Sequence, residues 1–210
     1  VWPTLEEYRK HAVSSSEWSG GSFALRHEAD GRVVRRIDLS QLDRRGRLNL
    51  VLLDRALPHE LCHLVLAEYF GDAACPTSLN EGLAMMAEAT ADNDRIALAG
   101  KALGGESRIA LPDLLAMERP PEDNVAVFYA ESFSFVSYLH ERLTAGQFRE
   151  MLAHVKNGLP IEEALQRALY APLEETFMDR LAEAWEAEAI EQSQFLRALD
   201  ADVAERPALP

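Results

Sequence analysis

The sequence predicts an α+β chain, predominantly helical, with a small antiparallel hairpin near its N-terminus and helices after it. Three observations predict this. Asp30-Gly31 stands between two strand-like runs at residues 22–29 and 32–39, and Asp-Gly is among the strongest short hairpin signals. Beyond Asp54 the apolar residues recur at helical spacing between turn residues, with no further strand pattern. The 210 residues are 48% hydrophobic and 8% aromatic, enough for one good core. One domain over residues 1–210 is therefore expected, with an N-terminal lobe to about residue 75 and a helical C-terminal lobe from about 76.

The elements follow in order. Thr4-Leu5-Glu6-Glu7 is a capping signal that opens a short helix to about His11. Ser14-Ser15-Ser16 and Gly20-Gly21 read as linkers. The second hairpin arm, 32–39, mixes apolar and charged residues as an edge strand does, and an extended peptide could add to such an edge. Arg44-Arg45-Gly46-Arg47 reads as a solvated turn. A helix is expected over 54–70, capped by Asp54, with Pro58 in its first turn and Gly71 ending it. A longer helix from Asn49, kinked at Pro58, fits as well. Leu57, Leu61, Leu64 and Val65 form its expected core-facing stripe. Further helices are expected at 113–117, 125–143, 148–155, 161–170 and 173–199, with a loop at 118–124 and a polar tail. No internal repeat is evident.

The helix at 54–70 carries His59-Glu60-Leu61-Cys62-His63. Histidines four apart on a helix stand one turn above each other on the same face, so both rings can reach one metal ion. Glu60 lies about 100° around the helix from His59, beside a metal and not on it, where it can take a proton from an attacking water. The bland alternative is an amphipathic helix with two incidental histidines. A third ligand is expected close downstream, and Glu81 in Asn80-Glu81-Gly82-Leu83-Ala84 is the candidate. Catalytic zinc commonly takes two histidines and a glutamate, leaving its fourth position open. Ser78-Leu79-Asn80-Glu81 also fits a capping box, which would turn Glu81 back to the Ser78 amide. Glu88, seven residues after Glu81, returns to the same helical face and could orient a ligating histidine; the alternative is a solvated surface glutamate. The implied cofactor is one Zn2+ per chain.

Composition bounds the rest. The formal net charge is −14, which repels nucleic acid and anionic membrane surfaces. Glu183, Glu186, Glu188 and Glu191 read as solvating a helix face. No apolar run is long enough for a membrane span. The start, Val1-Trp2-Pro3, reads as a processed or truncated end, in keeping with an exported protein, and a cytoplasmic location stays open. Cys62 and Cys75 are the only cysteines; they are either buried thiols or a bridge made across the turn after Gly71. His11, His27, His140 and His154 lack metal-ligand spacing, and Gly104-Gly105 reads as a loop and not as a phosphate cradle.

His-Glu-x-x-His followed by Leu79-Asn80-Glu81-Gly82-Leu83-Ala84 resembles the gluzincin clan of zinc peptidases. The chain is most similar to the compact bacterial peptidase-MA-like proteins, and more distantly to thermolysin and the alanyl-type aminopeptidases. The likeness continues through Tyr129-Ala130-Glu131-Ser132 and a tail from Gly158 to Trp185, so it spans roughly residues 45–190. Two departures matter. Thr77-Ser78-Leu79 stands where many relatives have an aromatic residue, and Ser132 stands where aminopeptidases have glycine. No Gly-x-Met-Glu-Asn element precedes His59, so the resemblance implies an endopeptidase sooner than an aminopeptidase. It further implies metal ligands His59, His63 and Glu81, a general base Glu60, and Tyr129 as donor to the developing oxyanion. Tyr129 otherwise reads as a core tyrosine on a helix whose apolar side is Phe128, Phe135, Val136 and Leu139.

The expected activity is hydrolysis of a peptide or protein substrate. Two other classes stay open: a protein that keeps a metal site as a binding or scaffolding module, and a zinc hydrolase of a non-peptide amide. An intact Glu60 speaks against the first. Oligomeric state and substrate sequence leave no signature.

Overall fold

A computed structural model describes residues 1–12, 21–43, 45–50, 52–89, 93–172 and 176–205. The Ser14–Ser16 segment, Gly20 and Arg44 lie outside these residues. The chain divides into two compact units, Val1–Gly71 with Leu83–Ala91, and Asp72–Gly82 with Asp92–Pro210.

The first unit opens with α1, Leu5–His11, whose first turn is capped as its sequence predicts: the Thr4 hydroxyl accepts from the Glu7 amide at 3.1 Å. Strands β1, Gly21–His27, and β2, Val33–Leu39, pair antiparallel from Gly21 opposite Leu39 to His27 opposite Val33. The turn between them uses Gly31 at φ +84°, a backbone conformation that favours glycine. Gly21 is therefore the first residue of a strand and not linker. The outer edge of β2 is not open along its whole length. Trp2 bonds to it from Leu39 to Gln41, donating to the Leu39 carbonyl at 2.7 Å and accepting from the Gln41 amide at 2.8 Å. A peptide adding to that edge would have only its earlier residues available.

A π-helical turn, Leu52–Ala56, runs directly into α2, Leu57–Phe70. Ala56 is itself helical, at φ −63° and ψ −44°, so Asp54 is not the cap and the longer of the two expected helices is closer to the truth. Pro58 falls in the first α-turn, just after the π-helical turn. Gly71 ends α2 at φ +60°, its amide donating to the Ala67 carbonyl. The inner face of α2 differs from expectation. Glu60, Leu66 and Phe70 are buried, whereas Leu61 and Val65 are 42% and 64% exposed. Strand β1 comes against Glu60, and the Leu61–Val65 side is left outward. The core of this unit is Tyr8, Leu39, Leu66, Phe70, Ala84 and Met85.

The second unit is helical: α4 Asn93–Leu103, α5 Leu111–Ala116, α6 Val125–Arg142, α7 Ala145–Lys156, α8 Ile161–Ala168 and α9 Phe177–Glu205. Helix α3, Thr77–Met86, starts in this unit. Phe128, Phe135, Val136 and Leu139 of α6 are buried, as their spacing predicts. Trp185 of α9 meets Phe135 edge-on at 5.2 Å and donates to the Ser134 hydroxyl at 3.1 Å. Helices α4 and α9 approach closely at Gly100, where a Cβ would come within 2.3 Å of the Ala189 carbonyl oxygen. Glu186 and Glu188 are not merely solvated: they pair with Arg108 and Arg142.

Glu131 of α6 is fully buried, and both of its oxygens accept from the Ile109 amide, at 3.3 and 3.2 Å. Burial pushes its pKa from the ordinary 4.5 to about 8, helped by the Glu186 charge and opposed by the Ile109 amide and Arg108. Between those two values the folded chain holds a proton that the unfolded chain has shed. The stability this group contributes is complete below the lower value and is lost as pH rises through about 8. The melting temperature should therefore fall as pH is raised across that window, and Glu131→Gln should flatten the fall. An equal fall in the variant would assign the titration to another group.

Candidate metal centre

Helix α2 brings the two histidines together by its own periodicity: the His59 and His63 rings stand edge to face with centroids 4.7 Å apart. Glu81 is on α3, and one ligand atom from each of His59, His63 and Glu81 lies within 4.8 Å of the others. These three residues could hold a metal ion. Two imidazoles and a carboxylate are a donor set that fits zinc.

The competing role for Glu81 is not the one observed. α3 begins at Thr77, so Ser78 lies inside the helix and does not cap it. The Ser78 hydroxyl is buried without a hydrogen-bond partner among the described residues, and the capping box is not made. Glu81 is followed by Gly82 for a packing reason. A Cβ at Gly82 would lie 2.4 Å from Val136 Cγ2 and 2.6 Å from the Ser132 carbonyl oxygen of α6. Glycine there lets α3 seat directly on α6, and any larger residue would displace the turn that carries Glu81.

Glu88 is not on α3 but in the turn just past its end, its amide donating to the Met85 carbonyl. It is nevertheless no surface residue: its side chain is 5% exposed. One oxygen, Oε1, lies 3.1 Å from His59 Nδ1, and the other, Oε2, accepts from Arg55 Nε at 2.9 Å. A carboxylate on Nδ1 fixes the ring's orientation and leaves Nε2 available to a metal. Arg55 was not foreseen. The only signal for it in the sequence is that it stands four residues before His59, which puts the two on one helical face when the helix extends upstream of Pro58.

Glu60 is buried at 6% exposure. Strand β1 lies against it, and a Cβ on Gly21 would come within 3.0 Å of Glu60 Oε1. Tyr129, on α6, is half-buried, with its ring edge-on to Phe128 at 5.6 Å. Cys62 and Cys75 are thiols and are not bridged. Among the described residues no helix is long and apolar enough to cross a membrane.

The family model described as the Peptidase MA superfamily matches residues 41–187, well over half of the chain. The match takes in the π-helical turn, both histidines, Glu81, Glu88 and Tyr129. No curated protein and no solved structure matches the chain.

Proposed function

The chain belongs to the Peptidase MA superfamily, and from that premise we propose that it is a zinc-dependent peptidase of the gluzincin type, cleaving within peptide or protein chains. The observation that carries this reading is the convergence of His59, His63 and Glu81, drawn from two helices, onto ligand atoms within 4.8 Å of one another. Internal cleavage is preferred because the Gly-x-Met-Glu-Asn element by which aminopeptidases anchor a free amino terminus has no counterpart upstream of His59.

When bound, zinc polarises the scissile carbonyl and makes water nucleophilic near neutral pH. The chain's own residues do the rest. Glu60, adjacent to His59 but about 100° away around the helix, takes the proton of the attacking water and delivers it to the leaving amine. Its burial against β1 keeps bulk water from competing for that proton. Glu88 holds the His59 ring through Nδ1, so that this ligand does not have to be oriented when the metal arrives. Tyr129 is assigned as the phenol that donates to the former carbonyl oxygen as negative charge develops there, an interaction that strengthens in the transition state.

A broad peptide library incubated with the zinc-loaded chain should be cleaved, and a chelator should stop cleavage until zinc is returned. Tyr129→Phe removes one hydroxyl and should lower kcat by roughly 10²–10³, the usual cost of losing an oxyanion donor, with KM and melting temperature little changed. Wild-type kcat in that variant would move the donor to another residue. A zinc-loaded chain that cleaves no peptide would put the binding-module and non-peptide amide readings first.

A further inference from the structure

The turn that leads into α2 is π-helical, Leu52–Ala56, and Pro58 stands two residues past its end. Single π-helical turns are frequent at functional sites. From this one the Arg55 side chain reaches the buried carboxylate of Glu88. We propose that Arg55 is a positioning residue of the metal centre: it fixes the Glu88 carboxylate and, through it, the ring of His59, so that the chain binds its metal more tightly. This rests on the metal-site reading above.

The geometry is a three-member relay. Arg55 Nε donates to Glu88 Oε2 at 2.9 Å, while Glu88 Oε1 faces His59 Nδ1 at 3.1 Å. The terminal torsion of a glutamate is broad, so a carboxylate held only on its histidine side can turn. A planar guanidinium on the far oxygen removes that freedom, and it does so with a rigid donor that lysine lacks. The relay is nearly dry on the Glu88 side, which is 5% exposed, and Arg55 is 36% exposed. Arg55 also neutralises a buried carboxylate that lies within reach of a cation site, which keeps Glu88 engaged with His59 and out of the ligand set. That set comprises His59, His63 and Glu81.

A merely structural role for Arg55 would be to tie the π-turn to the residues after α3. The backbone already makes that tie, since the Ala89 amide donates to the Asp54 carbonyl at 2.7 Å. That bond does not involve the Arg55 side chain. A tethering role would therefore show in thermal stability and leave metal affinity untouched, whereas a positioning role shows in metal affinity.

The test is the Zn2+ affinity of the full chain, measured by competition with a chromophoric chelator and needing no substrate. Arg55→Met should weaken zinc binding by about 10–100-fold, the range for losing a group that supports a metal ligand, and Arg55→Lys should recover only part of it. Glu88→Gln should cause a similar loss. Arg55→Met added to Glu88→Gln should cause little more, because both act through one path. Wild-type affinity in Arg55→Met, or a full second loss in the double variant, overturns the proposal. If Arg55→Met fails to fold, Arg55→Lys decides: weakened zinc binding at unchanged melting temperature supports the proposal and unchanged affinity overturns it. A wild-type chain that binds no zinc at all overturns the metal-site reading itself, a result distinguishable from any of these.

Discussion

Replacing His63 by alanine is expected to strip the chain of zinc and, with it, of all hydrolysis. Loss of an outer partner of a metal ligand costs about 10–100-fold in affinity; loss of a ligand itself should exceed that. His59→Ala and Glu81→Ala should behave alike, because zinc left with two protein ligands has neither the donor number nor the charge compensation of the full set. Equilibrium dialysis followed by metal analysis reads the occupancy directly. Glu81 is the most informative of the three, since its assignment joins two helices and not one. Full zinc and full activity in Glu81→Ala would send the search for a third ligand elsewhere. The apo forms should melt close to the wild-type apo chain, because His59, His63 and Glu81 are only half-buried and none is a large core residue.

What could be read from the sequence follows from how local the cause is. The Thr4 cap, the Asp30-Gly31 hairpin, the Gly71 helix end and the buried side of α6 depend on neighbours a few residues away, and each is observed. The histidine pair is legible for the same reason, since four residues of helix are enough to align two rings. Glu81 is legible only because the chain after Gly71 is short enough to return promptly. What failed was the choice of face on α2. Its apolar residues lie nearly all round the helix, and a polar residue, Glu60, occupies the side that meets β1. Burial therefore follows Glu60, Leu66 and Phe70 and leaves Leu61 and Val65 outside. A functional site is where a polar pattern and an inward face coincide against the usual rule.

Most of the remaining surprises are long-range. Arg55 reaches Glu88 across 33 positions and Glu131 meets Ile109 across 22; nothing in the periodicity of either segment announces the partner. The π-turn before Pro58 is also invisible to a pattern of 3.6, because it shifts the register that the pattern assumes. Gly82 and Gly100 look alike in the sequence to any tolerated helical glycine. Their reason appears only with the opposing helix in place, where a single methyl group would strike backbone or side-chain atoms at 2.3–2.6 Å.

Glu60→Gln separates catalysis from binding. Glutamine has nearly the same shape, so the contact with β1 around Gly21 and the burial of α2 should be kept, and the metal ligands are untouched. What is lost is basicity: an amide cannot take the proton of the attacking water or return it to the leaving amine. General base catalysis contributes typically 10²–10⁴-fold, so kcat should fall by about that much while zinc content and melting temperature stay near wild type. Glu60→Asp would keep the charge but withdraw it by one methylene from the position that β1 imposes, and it should fall between the two. If Glu60→Gln cleaves the same peptides at the wild-type rate, the proton is carried by another group and the role of the first glutamate in the motif must be reassigned. If neither form cleaves any peptide while both hold zinc, the centre serves binding or acts on a different amide, and Glu60 is then a buried acid of α2 packed against β1.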